Sequence, residues 1–158
     1  MKILFISANE SRLTAAPFPL GLASVAGALG DNHDFRVVDC LLADSRQTLA
    51  EVIEDFQPEL IALSMRNLDN QDSSCQPVFF FPEIRVLIAW LRGQTRVPIV
   101  VGGSAFNIVP LELAAYLQPD FGLAGESELS FRALVDSYPQ VNLGVNMCRL
   151  KAGRQKGR

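Results

Sequence analysis

Five short apolar runs punctuate the chain without polar alternation: KILFIS (2–7), FRVVD (35–39), LIALS (60–64), PIVVGG (98–103) and FGLAG (121–125). Runs rich in Ile, Val, Leu and Phe, apolar on both faces, are those of parallel strands covered on both sides. Between them the pattern changes to helical. LGLASVAGAL (20–29) follows Pro17 and Pro19 and stops at Gly30. SRQTLAEVIEDF (45–56) starts at a Ser cap and is ended by Pro58. PEIRVLIAWLRG (82–93) has Pro at its start and Gly at its end, with Ile84, Leu87, Ile88 and Leu91 on one stripe. PLELAAYLQ (110–118) and SELSFRALVDSY (127–138) complete the series. Strand and helix therefore alternate five times. Right-handed crossovers make this an α/β chain, a three-layer αβα doubly wound parallel sheet of five strands, flavodoxin-like, in the order 2-1-3-4-5. The domain is expected over 1–138. Residues 139–158 read as a linker or partly disordered tail, in which QVNLGVNMCRL offers one further weak strand or a linker.

Ligands of such sheets bind outside the carboxyl ends of the strands. Those ends here are Ser7 to Ala16, Asp39 to Leu42, Ser64 to Ser74, Gly102 to Phe106 and Gly125 to Ser127, mostly small, polar or glycine. The first, SANESRLTAAPFP, is about twice the usual length of such a turn. The third, LSMRNLDNQDSS (63–74), crowds hydrogen-bonding side chains at the end of a buried strand. Gly102 and Gly103 let a ligand approach the backbone and expose amide groups. Glu126 is expected to cap the last helix, with hydrogen bonding to a ligand as its other use. The small residues of the first helix, Gly21, Ala23, Ser24, Ala26, Gly27 and Ala28, fit either close helix–sheet packing or a slot for an elongated ligand.

Composition narrows the choice. The 158 residues suffice for one domain, and 49% hydrophobic with 20% charged residues is ordinary for a soluble protein. No apolar run approaches the roughly 18 residues of a membrane span, and the N-terminus reads as a strand rather than a signal peptide, so a cytoplasmic protein is expected. The segment 149–158 holds five basic residues and no acidic one, leaving nine basic against seventeen acidic residues, a net charge of −8, on 1–148. An acidic body argues against nucleic acid as a partner. Cys40, Cys75 and Cys148 lie 35 and 73 residues apart, with no local metal-ligating spacing.

Several chemistries lack their parts. There is no P-loop, no dinucleotide fingerprint and no nucleophile elbow. A receiver domain would need an Asp after the third strand and a Lys after the fifth, and neither is present. The single histidine, His33, falls in a turn at the opposite edge. No residue is assigned a catalytic or metal-ligating role, and the chain reads as a binding module, not active as an enzyme alone.

PFPLGLASVAGAL, FRVVD, a strand ending LSMRNLDN, PIVVGGSAF and DFGLAGESE, in that order, resemble the N-terminal cobalamin-binding domain of cobalamin-dependent radical SAM proteins, nearest the anaerobic magnesium-protoporphyrin IX monomethyl ester cyclase type. The resemblance covers about residues 1–138. It implies cobalamin on the carboxyl edge, its nucleotide tail in a cleft beside the first helix, where Pro19 and Leu20 stand. Ser64 would meet the dimethylbenzimidazole tail. Gly102, Gly103 and neighbouring Ser104 would let it pass, and Gly125, Glu126 and Ser127 would flank the nucleotide loop. Arg66, Asn67, Asp69 and Asn70 would lie by the corrin face or its amide fringe. The DxHxxG of other cobalamin domains is absent, which implies cobalamin without a histidine lower ligand. No CxxxCxxC follows, so an iron–sulfur cluster and SAM would belong to a radical SAM barrel domain elsewhere, in cis or in trans, and the chain reads as part of a longer protein. The three phenylalanines at 79–81 are either core or surface for that domain. The implied chemistry is methyl transfer or radical cyclisation or oxidation, with tetrapyrrole biosynthesis one setting. Two other readings stay open: a flavin- or nucleotide-binding flavodoxin-like domain, and a ligand-free interaction module.

Overall fold

The computed structural model describes residues 1–8, 18–42, 45–70, 74, 76–138 and 147–148. Most of the long first loop and the chain after Tyr138, apart from 147–148, lie outside the described residues, as does the basic segment 149–158.

The elements follow one another as β1 (Lys2–Ser7), α1 (Leu20–Gly27), β2 (Asp34–Asp39), α2 (Ser45–Phe56), β3 (Leu60–Ser64), α3 (Phe81–Gln94), β4 (Ile99–Gly102), α4 (Pro110–Leu117), β5 (Phe121–Leu123), α5 (Ser127–Ser137) and β6 (Met147–Cys148). β1 to β5 are parallel and ordered 2-1-3-4-5, as the alternating pattern predicts. β6 adds a two-residue antiparallel strand on the free side of β5.

Element ends match the sequence expectation to within two residues, and each difference has a local cause. α1 closes at Gly27, where the Ala28 amide is shared between the Ser24 carbonyl at 3.1 Å and the Val25 carbonyl at 3.3 Å and the Leu29 amide reaches back only three residues, to Ala26, tightening the last turn. β5 stops at Leu123 because Gly125 turns the chain with φ of 89°.

The pleat sends alternate residues of each strand to opposite faces. Leu4, Ile6, Ile61, Leu63, Ile99 and Val101 face α2, α3 and α4 and join their buried leucines and isoleucines in one core. Ile3, Phe5, Leu60, Ala62 and Val100 face α1 and α5, packing on Leu22, Ala26, Phe131 and Leu134.

Among the three phenylalanines, Phe81 packs on the first core and meets Tyr116 edge-on at 5.2 Å, while Phe79 stays 42% exposed and stacks on Phe81 at 5.4 Å. Among the described residues no helix is long and apolar enough to cross a membrane.

Candidate functional site

Strand register aligns the carboxyl ends in rows. Phe5, Ala62 and Val100 are neighbours across β1, β3 and β4. One pleat further on, Asp39, Ser7, Ser64 and Gly102 are neighbours across β2, β1, β3 and β4. Side-chain bulk therefore falls towards the carboxyl edge on the face that meets α1 and α5. Small side chains cannot fill the space beneath two helices held apart by the larger residues behind them. The result is a cavity of about 490 Å³ between the strand ends and the first turns of α1 and α5.

Its floor is Phe5, Ala62, Val100 and Leu123. One wall is the start of α1, where Phe18 and Leu20 are more than two-thirds exposed at the rim and Leu22 and Val25 lie deeper. A Cβ added at Gly21 would meet nothing within 4 Å. Close packing therefore does not explain this glycine, which stands exposed at the edge of the cavity. The other wall is the turn into α5, Gly125 to Glu128.

Polar groups ring the neck and mouth. Ser7 and Ser64 stand side by side. Ser7 is 7% exposed, and its hydroxyl borders the cavity with no hydrogen bond to another described residue. Asp39 accepts from the Leu41 amide at 3.1 Å, turning the chain after β2. The Ser104 hydroxyl donates to the Arg66 carbonyl at 2.6 Å and ties two strand-end loops together. Asn107 clamps the turn from β5 into α5: its Oδ1 accepts from the Gly125 amide at 2.8 Å and its Nδ2 donates to the Gly125 carbonyl at 3.4 Å. Ser24 of α1 donates to Glu128 of α5 at 2.9 Å, across the two walls. The Glu128 carboxyl is held below the usual carboxylate range, first by its own backbone amide and then by this hydroxyl. Asp39, Glu126 and Glu128 against Arg66 leave the lining net acidic.

The structure gathers most of the expected site residues around this cavity. Pro19 and Leu20 form its α1 rim, Ser64 and Arg66 its centre, Gly102, Gly103 and Ser104 the β4 end, and Gly125, Glu126 and Ser127 the α5 end. Gly103 serves the fold as well: at φ of 103° an added Cβ would lie 2.4 Å from the Met65 carbonyl, so β4 and the chain after β3 approach backbone to backbone there. The expected capping role of Glu126 is not observed. It occupies the N-cap position of α5 in extended geometry and makes no side-chain cap bond, leaving its carboxylate to the cavity.

Asn67, Asp69 and Asn70 stand apart from the cavity lining. The chain after β3 doubles back: Asp69 bridges Phe79, the Phe80 amide bonds the Leu68 carbonyl at 2.9 Å, and the Asn70 amide bonds the Val78 carbonyl at 3.0 Å. Asn70 Oδ1 takes the Val78 amide at 3.2 Å and its Nδ2 reaches the Gln76 carbonyl at 3.4 Å. Part of the polar capacity of that passage thus closes the loop on itself.

Ser7, Asp39, Asn107 and Glu128 line the cavity without having been assigned a role from sequence. Ser7 carries the same signal as Ser64, a hydroxyl ending an apolar run, although only Ser64 was assigned a role from it. Asn107 and Glu128 had none, because their roles depend on loops far apart in sequence. His33 lies at the opposite edge, bonded to Asp136 of α5 at 3.0 Å. That bond is the main reason the Asp136 carboxyl lies below its usual range.

A family model described as the B12 binding domain matches residues 12–135. The chain is 27% identical over 128 residues to the tryptophan 2-C-methyltransferase of Streptomyces laurentii, covering 80% of this chain and 21% of that protein. It is 30% identical over 146 residues to an uncharacterised methyltransferase of Pyrococcus horikoshii, covering 87% of this chain and 29% of that protein. The chain therefore spans less than a third of the length of these relatives. The structure of the radical S-adenosylmethionine methyltransferase TsrM from Kitasatospora setae with cobalamin and a [4Fe-4S] cluster superposes with a TM-score of 0.78 at 27% identity, over 86% of this chain and 24% of that one.

Proposed function

The chain belongs to the B12 binding domain family, and from that premise we propose that it is the cobalamin-holding part of a cobalamin-dependent radical SAM methyltransferase. The observation that carries this reading is the hollow on the carboxyl edge: an apolar floor, a pair of hydroxyls at its neck and open space where a side chain at Gly21 would stand. These residues fit the nucleotide tail of cobalamin, a flat apolar base joined to a sugar. Ser64, Gly102, Gly103, Ser104 and the turn Gly125–Ser127 would hold that tail, with Pro19 and Leu20 at the rim. Asp39, Glu126 and Glu128 present acceptors to the primary amides that fringe a corrin, and Arg66 a donor to their carbonyl oxygens. Asn67, Asp69 and Asn70, outside the cavity, are left to the outer corrin fringe or to a neighbouring domain.

Bound cobalamin supplies methyl-carrier chemistry at its cobalt. This chain's own residues bind and orient it and exclude water from the base. His33 is engaged with Asp136 at the far edge, so the cofactor would be held without a histidine lower ligand from this chain. The iron–sulfur cluster and SAM would be provided by a barrel domain, in cis as in the longer relatives or in trans, in a cytoplasmic enzyme. Methyl transfer is favoured over the radical cyclisation or oxidation of the magnesium-protoporphyrin type, because both sequence relatives and the superposed structure bear methyltransferase names.

The test is titration of the purified chain with hydroxocobalamin, followed by visible spectra and calorimetry, with FMN as the control ligand. Saturable binding of hydroxocobalamin alone is expected. A folded protein that binds FMN instead, or neither ligand at tens of micromolar, overturns the reading.

A further inference from the structure

We infer that Ser7 is a cofactor-binding residue, and that the cleft selects among cobamides by their lower base, taking a benzimidazole-type base in preference to adenine. This rests on the proposed function above. Ser7 is nine-tenths buried as a residue, its carbonyl accepts from the Cys40 amide at 3.0 Å, and its side chain lines the cavity with no hydrogen bond to another described residue. The Ser7 hydroxyl borders the cavity, where it is free to bond a ligand atom. Ser64 lies beside it in register, one strand spacing of about 5 Å away. Two donors therefore stand at the neck of the cleft.

Below the neck the polar side chains stop. Phe5, Ala62, Val100 and Leu123 form the floor, with Leu22 above it. The main chain beneath is engaged in the ladders between β1, β3 and β4. Dimethylbenzimidazole in its cobamide has a single free ring nitrogen and an otherwise apolar edge carrying two methyl groups. The nitrogen meets the serine pair, and the methyl groups enter the apolar floor. Adenine would bring an exocyclic amine and further ring nitrogens into that floor, where they would lose water without gaining partners.

The experiment measures binding of cobalamin, of the adenine-bearing cobamide and of cobinamide, which lacks the nucleotide, to the wild-type chain and to Ser7→Ala. Cobalamin is expected to bind about tenfold or more tighter than the adenine analogue. Ser7→Ala is expected to weaken cobalamin by about fivefold to tenfold and to leave cobinamide unchanged. Its melting temperature without ligand should not fall, since the lost hydroxyl had no partner to lose. Cobalamin and the adenine analogue within about twofold of each other, both tighter than cobinamide, would refute base selection and leave the proposed function standing. Cobinamide binding as tightly as cobalamin would show that the tail does not occupy the cleft and overturn the inference. Unchanged cobalamin affinity in Ser7→Ala, or a lowered melting temperature, would remove Ser7 from the site. Failure of all three corrinoids would overturn the proposed function itself.

Discussion

The two faces of the sheet are built by the same strands, one residue out of step, yet they finish differently. On the face towards α2, α3 and α4, β3 and the residue after it read Ile61, Leu63, Met65, all buried, and the core is closed to its carboxyl end. On the face towards α1 and α5 the same strand reads Leu60, Ala62, Ser64, and the layer is hollow there. β1 repeats the contrast, Ile3 and Phe5 giving way to Ser7. A cleft here needs no special element. Shrinking side chains at two successive pleat positions, on one face only, suffice to open it, while the opposite face supplies the stability.

The contrast breaks most severely at Gly103→Ala. The positive φ and the backbone contact at 2.4 Å leave no room for a Cβ, so a loss of about 4 kcal/mol or more is expected by urea denaturation. A milder result would mean that the β3 and β4 ends can separate.

Next comes a matched pair on adjacent residues of β3. Leu63→Ala, on the closed face, should cost about 3 kcal/mol and leave cobalamin affinity nearly unchanged. Ala62→Leu, on the hollow face, should alter stability by about 1 kcal/mol or less and weaken cobalamin about tenfold to a hundredfold. Equal effects of the two on binding would erase the distinction between the faces.

Asn107→Ala removes both bonds to Gly125 and should cost about 1 kcal/mol, with a larger proportional effect on cofactor binding than on unfolding if the clamp shapes the α5 wall. Smallest is the acid dependence of the Ser24–Glu128 link. The Glu128 carboxyl is lowered from 4.5 in the folded chain. Its contribution is therefore present above that value and is lost as pH falls through the folded one. Glu128→Gln should flatten the acid limb of the stability profile below pH 4.5 and leave it unaltered near neutrality. An unchanged acid limb would show that the link across the walls contributes nothing in solution.

Much of this architecture was legible beforehand. Unbroken apolar runs identified parallel strands, and the prolines opening α3 and α4 located those helices, because these are local consequences of pleat, helix period and ring geometry. Strand ends then pointed to one edge, and Ser64, Gly102 and the Gly125–Ser127 turn were found there. Ser7 was placed on the edge without a role, although it bears the same mark as Ser64. Asn70 reads identically to a ligand-facing residue in sequence, and only the hairpin-like return of its loop reveals that its side chain bonds its own chain.

The sequence by itself determined which segments are strands and helices, since these follow from periodicity, and which strand ends share the carboxyl edge, since that follows from their parallel, alternating order. The order 2-1-3-4-5 was the expectation for five strands, and the structure has it. Only the tertiary structure decided which polar side chains meet. Register brought Ser7 beside Ser64 from 57 residues away, and the packing of α5 against α1 brought Glu128 to Ser24. Those pairings depend on how strands align and helices lie against them, and no local pattern in the chain encodes that alignment.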